Sequence, residues 1–75
     1  MAMAFVLISA ELGHGDEVLK NLRVTPGVTE AHMVYGVYDI IIRIDAESMD
    51  VLKENIRDNI RSLDNIRSTL TMIVH

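Results

Sequence analysis

The chain of 75 residues contains no cysteine. That absence excludes disulfides, thiolate catalysis and every cysteine-ligated zinc or iron–sulfur site, and it fits a reducing compartment. A heavy-metal chaperone, which would need a Cys-x-x-Cys loop, is excluded with them. Proline is nearly missing, with Pro26 the one example, and 49% of the residues are hydrophobic; both argue against disorder. A cationic surplus is missing as well. Seven Lys and Arg against eleven Asp and Glu leave a formal charge of −4. Independent binding of nucleic acid calls for a basic face that displaces counterions from phosphates. Here Arg57, Arg61 and Arg67 are interleaved with Asp50, Glu54, Asp58 and Asp64. Direct DNA binding is therefore not expected. The apolar opening MAMAFVLISA has no positively charged lead, and Glu11 ends it too soon to span a bilayer. It reads as a strand, and the expected location is the cytoplasm.

What is present reads as one small domain over residues 1–75. A chain of this size buries only about 60% of the surface its unfolded form exposes, so a lone copy is marginal. It also holds more apolar residues than so small a monomer can hide, which points to self-association.

The run Phe5-Val6-Leu7-Ile8 is continuous, apolar and partly β-branched, as a buried central strand requires. Gly13-His14-Gly15-Asp16 reads as a loop with Asp16 as N-cap and Glu17 at the positive end of a helix, whose inner face carries Val18, Leu19 and Leu22. Pro26-Gly27 ends that unit in a turn. Val28 to Tyr35 reads as a strand, Gly36-Val37 as a tight connection, and Tyr38 to Ile44 as the next strand. From Ser48 to Leu63, the residues Met49, Leu52, Ile56, Ile60 and Leu63 recur at helical spacing opposite a mixed charged face. Asp64-Asn65 is a turn, and Ile66 to Val74 the last strand. A weak internal echo, Asn21-Leu22-Arg23…Pro26-Gly27-Val28 against Asn59-Ile60-Arg61…Asp64-Asn65-Ile66, is what two βαβ halves would produce. The expected fold class is α+β, a ferredoxin-like βαββαβ with a four-stranded antiparallel sheet and both helices on one face.

Such a sheet leaves its other face bare. Ile41, Arg43 and Asp45 alternate with Ile40, Ile42 and Ile44, and in the first strand both faces are apolar. An uncovered apolar face on so small a domain is an interface by default. At about 25 cal/mol per Å², burying about 800 Å² per partner would stabilise a marginal monomer. The expectation is a dimer formed through facing sheets, a dimeric α/β barrel.

The stretch Val34-Tyr35-Gly36-Val37-Tyr38-Asp39-Ile40 sets one carboxylate at the mouth of an isoleucine strand. Together with Pro26-Gly27-Val28 and Leu70-Thr71-Met72-Ile73-Val74, it resembles the effector-binding domain of the Lrp/AsnC transcription regulators, the RAM domain. The resemblance covers essentially the whole chain. Its most specific element is Gly-x-Tyr-Asp at Gly36, Val37, Tyr38 and Asp39, between the second and third strands. It implies sheet-faced dimers that assemble into tetramers, octamers or similar rings, with amino-acid effectors held between dimers near that loop. Full-length members carry an N-terminal helix-turn-helix. This chain begins at the first strand of the domain, so it reads as a stand-alone RAM domain that regulates transcription or metabolism without touching DNA. It could also co-assemble with full-length relatives.

Two roles stay open for Asp39. It can receive the ammonium of an amino acid while glycine lets backbone amides approach the ligand carboxylate, or it can cap the hairpin through local amides. Tyr35 and Tyr38 either pack at an interface or wall the pocket. Thr69 and Thr71 share a strand face with Arg67 and Ile73. They are ordinary strand residues or they complete a site between dimers. Met33 lines the same cleft or fills space. No metal site, cofactor or catalytic group is expected. His14, His32 and His75 are isolated, and Ser9 and Ser48 read as strand and helix-cap residues. The rival readings are a monooxygenase-like dimeric barrel, which needs a roomy polar cavity inside the subunit, and an ACT-like amino-acid sensor, whose ligand loop follows its first strand.

Overall fold

A computed structural model describes residues 1–75. Four strands and two helical units follow in the order β1 (Ala2–Ala10), α1 (Gly15–Arg23), β2 (Val28–Met33), β3 (Ile40–Ala46), α2 (Met49–Asn55, continued by a π turn over Ile56–Ile60) and β4 (Ile66–Val74). The sheet is antiparallel with the order β2-β3-β1-β4, and the helices pack on one of its faces. This is the expected ferredoxin-like arrangement.

Register decides what alternation in β1 left undetermined. Ala4, Val6 and Ile8 lie opposite Ile44, Ile42 and Ile40 of β3. All six are buried, so this is the face that the helices cover. The helices contribute Val18, Leu19 and Leu22 from α1, and Leu52, Ile56 and Ile60 from α2 with its π turn. Phe5 and Leu7 therefore point the other way, opposite Arg43 and Ile41 of β3 and Met72 and Leu70 of β4.

The internal echo is a structural repeat. Gly27 and Asn65, equivalent in the two halves, are both left-handed, at φ 91° and 67°. The preceding turns share one backbone bond. Thr25 N–H donates to Leu22 O at 3.1 Å, and Leu63 N–H to Ile60 O at 3.2 Å. Each left-handed residue then accepts from the neighbouring strand, Gly27 O from Asp45 N–H at 2.9 Å and Asn65 O from Glu11 N–H at 2.7 Å. Glycine is favoured at the first position, because its left-handed backbone strains other residues and a Cβ there would crowd Asp45 O at 3.2 Å. Asparagine, which tolerates the left-handed region, serves at the second.

Several expected boundaries shift. Asp16 is not the N-cap: α1 begins at Gly15, with His14 before it and no side-chain cap. Asp16 and Glu17 instead occupy the first turn, where they complement the helix dipole. Ser48 does cap α2, accepting from Val51 N–H at 3.2 Å. The expected long helix from Ser48 to Leu63 widens at Ile56, and Arg61 N–H donates back to Ile56 O at 3.0 Å. β2 stops at Met33 and β3 starts at Ile40. The expected tight connection at Gly36-Val37 is thus a loop from Val34 to Asp39. Gly36 stands at φ 157°, a backbone setting that side chains disfavour. It breaks what the aromatic and β-branched residues around it would otherwise continue as strand.

Candidate functional site

The Val34–Asp39 loop is fixed at its base by backbone pairing. Asp39 N–H donates to Ile8 O at 2.9 Å, and Val34 N–H to Asp39 O at 2.8 Å. The Asp39 carboxylate then reaches across to β1, where its Oδ2 accepts from Ala10 N–H at 3.1 Å. It is half-buried. The cap therefore joins two strands rather than closing the hairpin on itself, and the second carboxylate oxygen has no protein partner.

Beside that carboxylate lies an open cleft of about 350 Å³. The loop contributes Tyr35, Val37 and Asp39, and β2 ends in it at Met33. The opposite wall is the end of β1 and the segment after it, Ser9, Glu11 and Leu12, with Arg67 of β4 completing the rim. Arg67 reaches this position through a bulge: β1 advances from Ser9 to Ala10 while β4 moves from Ser68 to Ile66. One cleft thus brings together two carboxylates, a guanidinium and two hydroxyl-bearing side chains, Ser9 and Tyr35, beside an apolar wall. Tyr35, Val37 and Leu12 are almost fully exposed at its edge.

Of the residues singled out in the sequence, Met33, Tyr35, Val37 and Asp39 come together here. Gly36 shapes the loop without lining the cleft, and a Cβ placed on it would meet nothing within 4 Å. Its constraint is one of backbone angle and not of space. Tyr38 is half-buried beside the cleft, outside its lining. Thr69 and Thr71 are elsewhere: they lie opposite Ile8 and Val6, on the face that carries the helices. Ser9, Glu11 and Leu12 escaped the sequence reading because the central position of β1 brings them to the loop. The chain end of β1 in a βαββαβ order was the available signal.

The bare sheet face holds a second cluster. Phe5, Leu7, Leu70, Met72 and Val74 form an apolar field, with Leu70 at 45% and Val74 at 40% exposure. Toward the β2 edge, the Arg43 guanidinium grips Asp45 through two hydrogen bonds, of 3.0 and 3.2 Å, with Glu30 at 3.9 Å. The hydrogen bond and charge of Asp45 hold Arg43 above even its usual high pKa. His14 and His32 each lean on a nearby glutamate, Glu17 at 3.1 Å and Glu30 at 3.4 Å. No helix is long and apolar enough to cross a membrane.

The model of the Lrp/AsnC ligand binding domain matches residues 3–75. The chain belongs to that family. Among relatives of this Lrp/AsnC domain, the HTH-type transcriptional regulator FL11 of Pyrococcus horikoshii is 33% identical over 72 residues, covering 96% of this chain and 47% of the regulator. The crystal structure of FFRP-DM1 superposes with a TM-score of 0.95 at 36% identity, each chain covered in full. E. coli AsnC superposes with a TM-score of 0.88 at 31% identity, over 97% of this chain and 50% of that one. The Lrp/AsnC domain described here thus spans about half the length of the regulators it matches.

Proposed function

We propose that this Lrp/AsnC-type domain is a ligand-binding and oligomerisation module. It receives a small effector, an amino acid, in the cleft beside Asp39 and acts in regulation without contacting DNA. The observation that carries the reading is the composition of the cleft. An amino-acid zwitterion needs an acceptor for its ammonium and a donor for its carboxylate. Asp39 and Glu11, which line the cleft, offer the first and Arg67 the second, as charge-assisted pairs. The exposed rim of Leu12, Tyr35 and Val37 suits closure by a neighbouring copy, which would complete a site between dimers. The apolar field around Leu7 and Leu70 suits the dimer contact itself. Full-length Lrp/AsnC regulators are natural partners for mixed assembly.

Calorimetry with the twenty amino acids, with the oligomeric state recorded, tests the reading. Asp39→Asn should keep the fold, since an amide oxygen can still accept from Ala10 N–H. Affinity for the amino acid should fall about ten- to a hundredfold, because one charge-assisted hydrogen bond becomes neutral. A wild-type protein that binds none of the twenty at millimolar concentration refutes the effector role.

A further inference from the structure

Helix α2 packs chiefly over β1 and β3 and makes little contact with β4. The inward residues of β4 are consequently only half-buried, and they include Thr69 and Thr71 where the inner strands carry isoleucine and valine. An open groove runs along this gap. One part, of about 230 Å³, is lined by Lys53, Arg57, Arg61 and Thr71; the next, of about 360 Å³, by Arg61, Arg67 and Thr69. Four of the seven cationic side chains of an acidic protein thus converge on one groove. Lys53, Arg61 and Arg67 make no ion pair. Arg57 uses its Nε on Asp58 at 3.1 Å, and its two terminal nitrogens stay free.

The π turn gives the cluster its alignment. In an α-helix, side chains four apart drift round the axis, because a turn holds 3.6 residues. The wider turn over Ile56–Ile60 holds more and reduces that drift, so Arg57 and Arg61 share a groove with Lys53. Such turns sacrifice regular hydrogen bonding and gather at functional sites.

We propose that this groove binds a small multivalent phosphate, the diphosphate portion of a phosphorylated metabolite or nucleotide. Guanidinium forks match phosphate oxygens in bidentate fashion, and the threonine hydroxyls on the facing wall add neutral donors. A concave cationic site focuses its field on a compact anion, whereas the net charge of −4 opposes an extended polyanion such as a nucleic acid. The groove stands on the opposite side of β4 from the bare sheet face and shares only Arg67 with the effector cleft.

Pyrophosphate titrated into the isotope-labelled full chain at low salt tests this. Backbone and side-chain resonances of Arg57, Arg61 and Thr71 should shift saturably, and pyrophosphate should bind about tenfold or more tightly than sulfate. Arg57→Gln with Arg61→Gln, both exposed, should weaken binding about tenfold or more. Lys20→Gln with Arg23→Gln on α1, an equal loss of charge, should leave it within about twofold. Shifts spread evenly over all cationic residues, equal affinity for sulfate, or equal loss in the two double variants would overturn the proposal. So would tighter binding of duplex DNA through the same residues. The wild-type shift map decides the matter even if a variant unfolds.

Discussion

The two faces of the sheet are built from alternate residues of the same strands, yet they answer to different constraints. On the inner face Val6, Ile8, Ile40, Ile42 and Ile44 are closed off by two helices and are almost without solvent exposure. On the outer face Phe5, Leu7, Leu70 and Met72 are as apolar but meet no other part of the chain's helices, and an Arg43–Asp45 pair is set among them. The inner face is a core completed by folding. The outer face has the chemistry of a core still waiting for its second layer, with a charged corner that can fix orientation when that layer arrives. The lesson is that hydrophobicity alone does not separate core from interface; position relative to the helices does.

Substitutions can break this contrast in graded fashion. The largest effect should come from Val6→Asp. A charge placed under both helices has no partner, and its burial costs several kcal/mol, comparable with the whole stability of a small domain. Loss of the cooperative thermal transition should be seen by circular dichroism. Leu7→Asp, one residue along on the outer face, should instead leave the secondary structure intact and release a folded monomer. Sedimentation velocity should then show about 8.4 kDa for the variant and at least a dimer for the wild type at micromolar concentration. A monomeric wild type would end the interface reading while leaving the core reading intact. Arg43→Gln should do least. Fold and dimer should persist, with only the salt dependence of dimerisation reduced, since exposed ion pairs contribute little.

Much of the architecture could be read from the sequence because the signals are local. The helical spacing of Leu52, Ile56 and Ile60, the turn residues Pro26-Gly27 and Asp64-Asn65, and the repeat relating them all reappear in three dimensions, with the helix widened only over Ile56–Ile60. The faces of β1 could not be read, since Phe5, Val6, Leu7 and Ile8 are all apolar; only pairing of Val6 with Ile42 separates them. The extent of β1 was legible, since MAMAFVLISA reads as a strand from end to end. The π turn has no sequence signature, and with it the convergence of Arg57 and Arg61 was hidden. Half of the candidate cleft was legible, since Met33, Tyr35, Val37 and Asp39 are near neighbours in sequence. The other half, Ser9, Glu11 and Arg67, is assembled by strand order and one bulge.

That strand order, β2-β3-β1-β4, also bears on how the chain is made. Of the four strands, β1 leaves the ribosome ahead of the others and is the last to gain both its neighbours, because the partner on one side is β4, at Ile66–Val74. Until those residues emerge, a nascent chain carries the uncharged, proline-free strand Ala2–Ala10 with an open edge. A strand of that kind recruits other strands indiscriminately. The same central placement that protects β1 in the finished sheet makes it the segment most in need of a chaperone, or of fast synthesis, beforehand.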